Sequence, residues 1–302
     1  MPSTDSGRLK DRLIAAQLLL PTNAAGVHGF GQDFVRVLDA VDAYVSRAGA
    51  ADQPELVRFP GLLARSDIER TDYLNSFPNL LGAIHSFSGD DVEHKVLLGK
   101  LEASQDWSEH FRATELMLVP AACYPIYGTI SPTLPADGRL FEILGTCFRH
   151  EPSDDPARMV TFHQHEFVRL GSPEAARAFR DDWKERATEL MRELGLDVEC
   201  VVANDPFFGR AGRLLAANQR GEAMKFEVVA TVDSETRPTA IASANLHGDH
   251  LKTRFGITAA DGGTAHSACV GFGLERITLA LFAAHGVDVN AWPDLVRGRL
   301  AF

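Results

Sequence analysis

The 302-residue sequence predicts an α+β fold in which helices flank a mainly antiparallel sheet. Several short runs alternate apolar with polar side chains and are bounded by turn residues, which is typical of antiparallel strands. Two longer runs carry apolar residues at helical spacing instead. We found no internal repeat or interdomain linker, so we expect one domain over residues 1–302, with an N-terminal extension over about residues 1–30.

In the first half of the chain, apolar periodicity predicts two clear helices and three strands. The helices are expected at residues 8–20 and 32–47, and the strands at residues 55–59, 83–87 and 114–119. Ser66 is expected to cap a further short helix. The apolar composition of the third strand predicts that it is buried.

The second half is predicted to be mostly strand. One strong helix over residues 173–194 follows the N-cap Ser172 and has Pro173 at its first position. The strands are expected at residues 148–151, 162–170, 198–203, 226–232, 239–245 and 268–272. The first two of these form a hairpin, because the sequence PSDDP between them is a turn.

Charge and cysteine content limit the class of function. The chain has 41 acidic against 30 basic residues, a net charge of -11, which disfavours tRNA or DNA as a partner. It contains neither an apolar run long enough to span a membrane nor a secretory signal, so we expect a cytoplasmic protein. The four cysteines lack metal-binding or redox spacing, and each is by default a small buried apolar residue.

The predicted hairpin concentrates residues that suit a nucleotide. Arginine offers a planar fork of donors for phosphate, and phenylalanine offers a surface on which a base stacks. Strand alternation puts Arg149 and Glu151 on one face of the first strand. On the second strand it puts His163, His165 and Phe167 on one face and Glu166 on the other. The alternative is a surface hairpin with ion pairs.

A glycine-rich turn, GFGLER, joins the last predicted strand to an apolar helix. Gly271 and Gly273 would let the backbone approach a ligand, and Arg276 would lie in the first helical turn. This pattern alone is equally typical of an ordinary turn with a surface arginine.

Taken together, these stretches resemble class II aminoacyl-tRNA synthetases. The FRHE hairpin and GFGLER are similar to motifs 2 and 3 of that class, and the helix and strand that end at Pro60 are similar to motif 1. The succession FRHE, HEF, SANLHGD and GFGLER most resembles seryl-tRNA synthetases. The resemblance covers nearly the whole chain, but the tRNA-binding arm of those enzymes is not expected here.

The resemblance implies an ATP site. Arg149 would bind the α-phosphate and the substrate carboxylate, and Glu151 the adenine amino group. Phe167 would stack on one face of the adenine. Arg276 would cover the other face and reach the γ-phosphate, which Arg158 would also meet. Arg149 and Arg276 are then the catalytic residues.

A Mg²⁺ ion would accompany ATP. The synthetase glutamate that holds it aligns near Thr239 or Ala240, neither of which is a good ligand. Glu227 and Asn245 are the remaining candidates, and structural hydrogen bonding is the alternative for both.

Cys123, Glu166 and Cys269 lie at positions similar to the zinc site of zinc-containing seryl-tRNA synthetases. The resemblance implies one Zn²⁺ per chain, which would bind the amino group of the substrate while Arg149 binds its carboxylate. Two thiolates and a carboxylate leave a fourth tetrahedral position open for that amine.

The zinc site and the absence of a tRNA-binding arm together resemble the amino acid:carrier protein ligases. These truncated synthetase homologues use ATP to load a small amino acid onto the phosphopantetheine thiol of a carrier protein. The resemblance implies glycine, with alanine second, and a homodimer formed through motif 1. Because carrier proteins are acidic, a basic patch is expected to contact them, at Arg210, Arg213 and Arg220 with Lys225, and the alternative is an ordinary solvated surface. The alternatives are a seryl-tRNA synthetase-like enzyme without its tRNA-binding domain and a non-catalytic synthetase paralogue.

Overall fold

The computed structural model describes residues 8–203, 224–233 and 238–302, with the backbone alone at 251–253. Seven strands of this part of the chain form one sheet in the order β3-β7-β8-β12-β11-β10-β9. Only β3 and β7 run parallel, and the other neighbours are antiparallel. The α+β fold with a mainly antiparallel sheet is therefore confirmed. The strands are β3 (Glu55–Arg58), β7 (Arg139–Phe148), β8 (Thr161–Gly171), β9 (Val198–Ala203), β10 (Lys225–Ala230), β11 (Thr239–Gly248) and β12 (His266–Gly273).

Three long helices cover one face of this sheet: α2 (Gln32–Gly49), α7 (Pro173–Glu193) and α9 (Leu274–His285). Ser172 caps α7, as predicted, because its hydroxyl accepts a hydrogen bond from the Ala175 amide at 3.2 Å. Trp183 of α7 stacks on Phe167 of β8 with ring centroids 4.7 Å apart. The main apolar core lies between these helices and the sheet.

Smaller elements surround this frame. A second sheet has the order β4-β6-β5, and an N-terminal hairpin pairs β1 with β2. Their bounds are β1 (Leu19–Pro21), β2 (His28–Phe30), β4 (Leu62–Ala64), β5 (Ala83–Phe87) and β6 (Phe111–Leu118). The other helices of the described residues are α1 (Leu9–Ala15), α3 (Arg65–Glu69), α4 (Tyr73–Ser76), α5 (Asp91–Glu102), α6 (Tyr124–Tyr127), α8 (His250–Phe255) and α10 (Asp294–Leu300). The same part of the chain contains 3₁₀ turns at Ala50–Asp52, Ser108–His110 and Val289–Ala291. No helix of the described ranges is both long and apolar enough to cross a membrane.

Four local predictions are wrong. The first helix ends at Ala15, because Leu19 pairs with Phe30 in a strand instead. Helix α3 begins before Ser66 and has no side-chain cap. Strand β6 has no buried residue, since the small sheet packs on the main body through few of its side chains. The first hairpin strand ends at Phe148, so Arg149 and Glu151 lie in the loop that follows it.

Candidate active site

A cavity of about 510 Å³ lies on the face of the sheet opposite α7. This volume is in the range of small-molecule binding sites. Strands β8, β10, β11 and β12 form its floor, and α4, α6 and the loop between β7 and β8 form its walls. Eight of the residues predicted to form the site line it, namely Cys123, Arg149, Glu151, Glu166, Glu227, Asn245, Cys269 and Arg276.

One end of the cavity carries two guanidinium groups. Arg276, in the first turn of α9, donates from Nε to the Ala157 carbonyl at 2.9 Å and from Nη1 to the Ala240 carbonyl at 3.1 Å. Arg149 donates from Nε to the Pro120 carbonyl at 3.0 Å. Burial and the nearby charge of Arg149 lower the pKa of Arg276. Two neighbouring guanidinium groups held by backbone carbonyls favour the binding of an anion.

Arg158 lies at the edge of this end. Its Nη1 donates to Glu151 Oε2 at 3.1 Å, and its Nε lies 3.7 Å from Asp155 Oδ2. Its side chain is 55% exposed, and it is not among the lining residues. A phosphate contact from Arg158 would therefore require it to leave Glu151.

The predicted position of Phe167 is wrong. Phe167 is fully buried on the opposite face of the sheet, stacked on Trp183. Phe162 lines the cavity instead, with the Arg149 guanidinium 5.4 Å from its ring centroid. The sequence held the signal, because Glu166 and Phe167 are successive residues of a strand and cannot both face one cavity. Phe162 shares the even parity of Glu166.

The other end of the cavity holds Cys123, Glu166 and Cys269. One ligand atom from each lies within 4.8 Å of the other two, and all three residues are buried. Cys123 immediately precedes α6, Glu166 is on β8, and Cys269 is on the neighbouring strand β12. Gly271 lies opposite Glu166, and a Cβ there would come within 3.2 Å of Glu166 Oε1. Glycine therefore gives the carboxylate room to turn towards the thiols.

The three ionisable groups at the thiol end shift one another's pKa values. A hydrogen bond from Cys123 lowers the pKa of Cys269 well below its usual value, and the same bond together with burial raises the pKa of Cys123. Burial, followed by the charge of Cys269, raises the pKa of Glu166 to about 8. Within the described residues, Glu166 Oε2 is buried without a hydrogen-bond partner. A divalent cation would neutralise these groups and satisfy that oxygen, so the cluster fits a metal.

Further polar residues surround the thiols, and two of them, Tyr127 and Ser267, were not recognised in the sequence. His247 Nε2 lies 3.4 Å from Cys269 Sγ, and its Nδ1 lies 3.1 Å from Ser267 Oγ and 3.3 Å from Tyr127 Oη. Asn245 Nδ2 donates to Cys269 Sγ at 3.5 Å and to Ser243 Oγ at 3.2 Å. Ser243, Asn245 and His247 alternate along β11, within the stretch SANLHGD, whereas Tyr127 and Ser267 come from separate parts of the chain.

The remaining predicted residues are placed as follows. Glu227 Oε1 lies 3.0 Å from Lys225 Nζ and opposite Ser243 of β11. Asn245 is at the thiol end, beside Cys269. Of the predicted basic patch, Arg210, Arg213 and Arg220 lie outside the described residues, and Lys225 lines the cavity beside Glu227.

Sequence comparisons identify relatives of this chain. Residues 107–285 match the tRNA synthetase class II core domain (G, H, P, S and T). A Bradyrhizobium diazoefficiens protein named "Amino acid--[acyl-carrier-protein] ligase 2" is 40% identical over 289 residues, 95% of this chain and 86% of that protein. A type-2 serine–tRNA ligase of Methanococcus aeolicus is 27% identical over 256 residues, 80% of this chain and 49% of that protein.

A solved structure shows the same fold. The seryl-tRNA synthetase of M. kandleri, in complex with tRNASec of A. aeolicus, superposes with a TM-score of 0.84 at 21% identity. The match covers 97% of this chain and 60% of that one, so the chain spans less than two thirds of the synthetase. The core-domain match and the identity to the Bradyrhizobium protein show that this chain belongs to the class II tRNA synthetase core family and, within it, to the amino acid:carrier protein ligases.

Proposed function

We propose that this ligase uses ATP to activate a small amino acid and transfers it to the phosphopantetheine thiol of a carrier protein. One observation carries the proposal. A pair of guanidinium groups and a cluster of two thiols with a carboxylate line the same cavity. The first suits the phosphates of ATP, and the second suits a metal that holds an amine. The ligase name of a relative at 40% identity supports an amino acid and a carrier protein as substrates.

The first step forms an aminoacyl-adenylate. A carboxylate oxygen of the amino acid attacks the α-phosphorus of ATP, the bond to the β-phosphate oxygen breaks, and pyrophosphate leaves. Negative charge grows on the α-phosphate oxygens and on the leaving group. Arg149 and Arg276 stabilise that charge, and their anchoring by backbone carbonyls means that little reorganisation is needed. Phe162 provides the surface on which the adenine stacks.

The second step transfers the amino acid. The carrier thiol, as thiolate, attacks the carbonyl carbon of the adenylate, the bond to the phosphate oxygen breaks, and AMP leaves with the electron pair. The thiol proton goes to solvent. In neither step does a side chain of this protein serve as the nucleophile, so the protein acts by binding and orientation.

Cys123, Glu166 and Cys269 would hold the metal that binds the substrate amine. Two thiolates and one carboxylate favour Zn²⁺, which acts as a Lewis acid without redox chemistry. We propose Glu227, with Ser243 opposite it, for the Mg²⁺ that accompanies ATP, and Asn245 as a further candidate. Asn245 also donates hydrogen bonds to Cys269 and Ser243.

Glycine is the first candidate for the amino acid, and alanine the second. The cavity of about 510 Å³ has to hold ATP as well, which favours a small substrate. We further propose that the protein is a homodimer formed through α2 and β3, that Arg210, Arg213 and Arg220 meet the acidic carrier, and that tRNA is not a substrate because the chain carries a net charge of -11.

The test is amino-acid-dependent exchange of pyrophosphate into ATP, measured with glycine, alanine and serine. We expect exchange with glycine above the others, and we expect Arg276→Lys to reduce its rate about a hundredfold or more, since lysine lacks the planar fork. The matched control is Arg180→Lys. Arg180 is buried as well, but it stacks on Phe226 and does not line the cavity.

Transfer is then assayed with a phosphopantetheinylated carrier and with total tRNA. Loading of the carrier alone supports the proposal. Loading of tRNA would indicate a synthetase, and absence of exchange with every amino acid would indicate a non-catalytic protein.

A further inference from the structure

The loop between β7 and β8 is held from outside by the N-terminal segment, residues 8–31. The Val160 amide donates to the Gly26 carbonyl at 2.9 Å, and Lys10 Nζ lies 3.4 Å from Asp154 Oδ1. Ala157 and Met159 of the loop are buried in the same apolar core as the leucines of α1. The loop is thus tied to a part of the chain more than a hundred residues away.

Gly26 makes the closest of these contacts. Its φ is +72°, in the region that favours glycine, and its carbonyl faces the loop. A Cβ at this position would lie 3.0 Å from Val160 Cγ2, 3.3 Å from the Arg158 carbonyl and 3.4 Å from Pro152 Cα. Both ends of the loop therefore pack on this one residue.

The same loop forms one wall of the arginine end. Pro156, Ala157 and Met159 line the cavity, and the Ala157 carbonyl accepts the hydrogen bond from Arg276 Nε. Displacement of the loop would free Arg276 from one of its two backbone acceptors. The thiol end has no such link, because Cys123, Glu166 and Cys269 belong to other elements.

We infer that the N-terminal segment is a positioning element, which fixes the β7–β8 loop and, through Ala157, the guanidinium of Arg276. It keeps the nucleotide end of the cavity in its binding conformation before ATP arrives. If the loop were in its binding position in only a fraction of the molecules before ATP binds, the apparent affinity for ATP would be reduced in proportion to that fraction. The consequence for ATP rests on the proposed function, whereas the hold on the loop does not.

The test substitutes Gly26→Ala, with Gly195→Ala as matched control. Gly195 has the same φ of +72°, and a Cβ there would also find its nearest atom at 3.0 Å, on His285. It lies after α7 and does not line the cavity. We expect Gly26→Ala to raise the KM for ATP about fivefold or more in pyrophosphate exchange, with the KM for the amino acid changed by less than about twofold. Gly195→Ala should leave both constants near those of the wild type.

Hydrogen exchange of the full-length protein provides the second readout, independent of activity. In the wild type, the amides of residues 26–30 and 157–160 should open together under low denaturant, as one cooperative unit. In Gly26→Ala, the loop amides should exchange at least about tenfold faster, while Gly195→Ala leaves them unchanged.

Two outcomes would overturn the inference. One is that the loop amides of the wild type open independently of residues 26–30. The other is that both glycine variants raise the KM for ATP equally, which would show a general loss of stability. If the wild type shows no exchange of pyrophosphate, the proposed function fails, but the amide measurements still decide whether the segment holds the loop. If Gly26→Ala does not fold, hydrogen exchange of the wild type still decides whether the segment holds the loop.

Discussion

Strand β8 presents two faces to different surroundings. Its even-numbered residues Phe162, Gln164 and Glu166 line the cavity. Three odd-numbered residues each contact one of the helices that cover the other face of the sheet. His163 Nδ1 lies 2.6 Å from Glu275 Oε1 of α9, His165 Nδ1 lies 2.6 Å from Asp42 Oδ1 of α2, and Phe167 stacks on Trp183 of α7.

The difference shows how one strand serves both binding and folding. Each of these three side chains packs against a fixed partner, so a change there should affect the free energy of unfolding. His165 Nε2 lies 3.3 Å from Glu142 Oε1 without a hydrogen bond among the described residues. On the cavity face, Glu166 Oε2 is left without a partner among the described residues, and its carboxyl has its pKa raised to about 8. Groups kept in such an unfavourable state are typical of ligand sites. Substitutions of neighbouring residues on this strand should therefore separate stability from activity.

Phe167→Ala should have the largest effect. The ring is fully buried between Trp183 and α2, where a Cβ at Gly49 would overlap it. We expect the free energy of unfolding to fall by about 3–5 kcal/mol, since the cavity cannot close completely. Chemical denaturation measures it. In protein that remains folded, the KM for ATP should stay close to that of the wild type, and a large rise in KM with unchanged stability would contradict the assignment of this residue to the core.

Glu166→Gln should come next. Glutamine keeps the volume of the side chain and is a poor metal ligand, so we expect loss of bound zinc and a rise of about a hundredfold in the KM for the amino acid. Metal content by atomic emission spectrometry and pyrophosphate exchange measure the two effects. The control is Glu142→Gln, a buried glutamate on the helix face that accepts a hydrogen bond from Ser46. Equal metal content in the two variants would argue against a metal at the thiol end.

The comparison also explains what the sequence could predict. Alternation of polar and apolar residues predicted the sheet, and Ser172 with Pro173 marked the start of α7, because these signals are local. Arg149 and Arg276 belong to short local motifs, and both line the cavity, but their roles were inferred from the family resemblance. The three residues of the thiol end are far apart in the chain, so only the family resemblance brought them together.

Other features depend on contacts that sequence does not specify. The parity of β8 was predicted correctly, with Phe167 on the face opposite Glu166. The family resemblance nevertheless gave both residues to one site, because the motif was compared by residue type and not by strand register. The prediction that β6 is buried was wrong, because apolar composition does not indicate which element covers a strand. The chain of contacts from Tyr127 through His247 to Cys269 exists only in the folded protein.

Phe162→Ala should have a smaller effect than Phe167→Ala and Glu166→Gln, and it should affect only the binding of ATP. The ring lines the cavity beside Arg149. Loss of base stacking is expected to raise the KM for ATP about tenfold, equivalent to about 1.4 kcal/mol. The KM for the amino acid should change little, and Phe162→Tyr, which keeps an aromatic face, should behave nearly as the wild type. If Phe162→Ala leaves the KM for ATP unchanged, the adenine stacks elsewhere.

The smallest expected effect concerns His163 and appears only as a dependence on pH. The hydrogen bond to Glu275 raises the pKa of His163 in the folded protein above the value of about 6.5 expected when unfolded. A raised pKa stabilises the fold below the unfolded value, and this stabilisation is lost as the pH rises through the folded value. The free energy of unfolding of the wild type minus that of His163→Gln should therefore decrease from pH 5.5 to pH 8.5, by less than about 1 kcal/mol because the ring is partly exposed. Titration of Glu166 is common to both proteins and cancels in the difference, so a flat or rising difference would show that His163 is not held as a cation by Glu275.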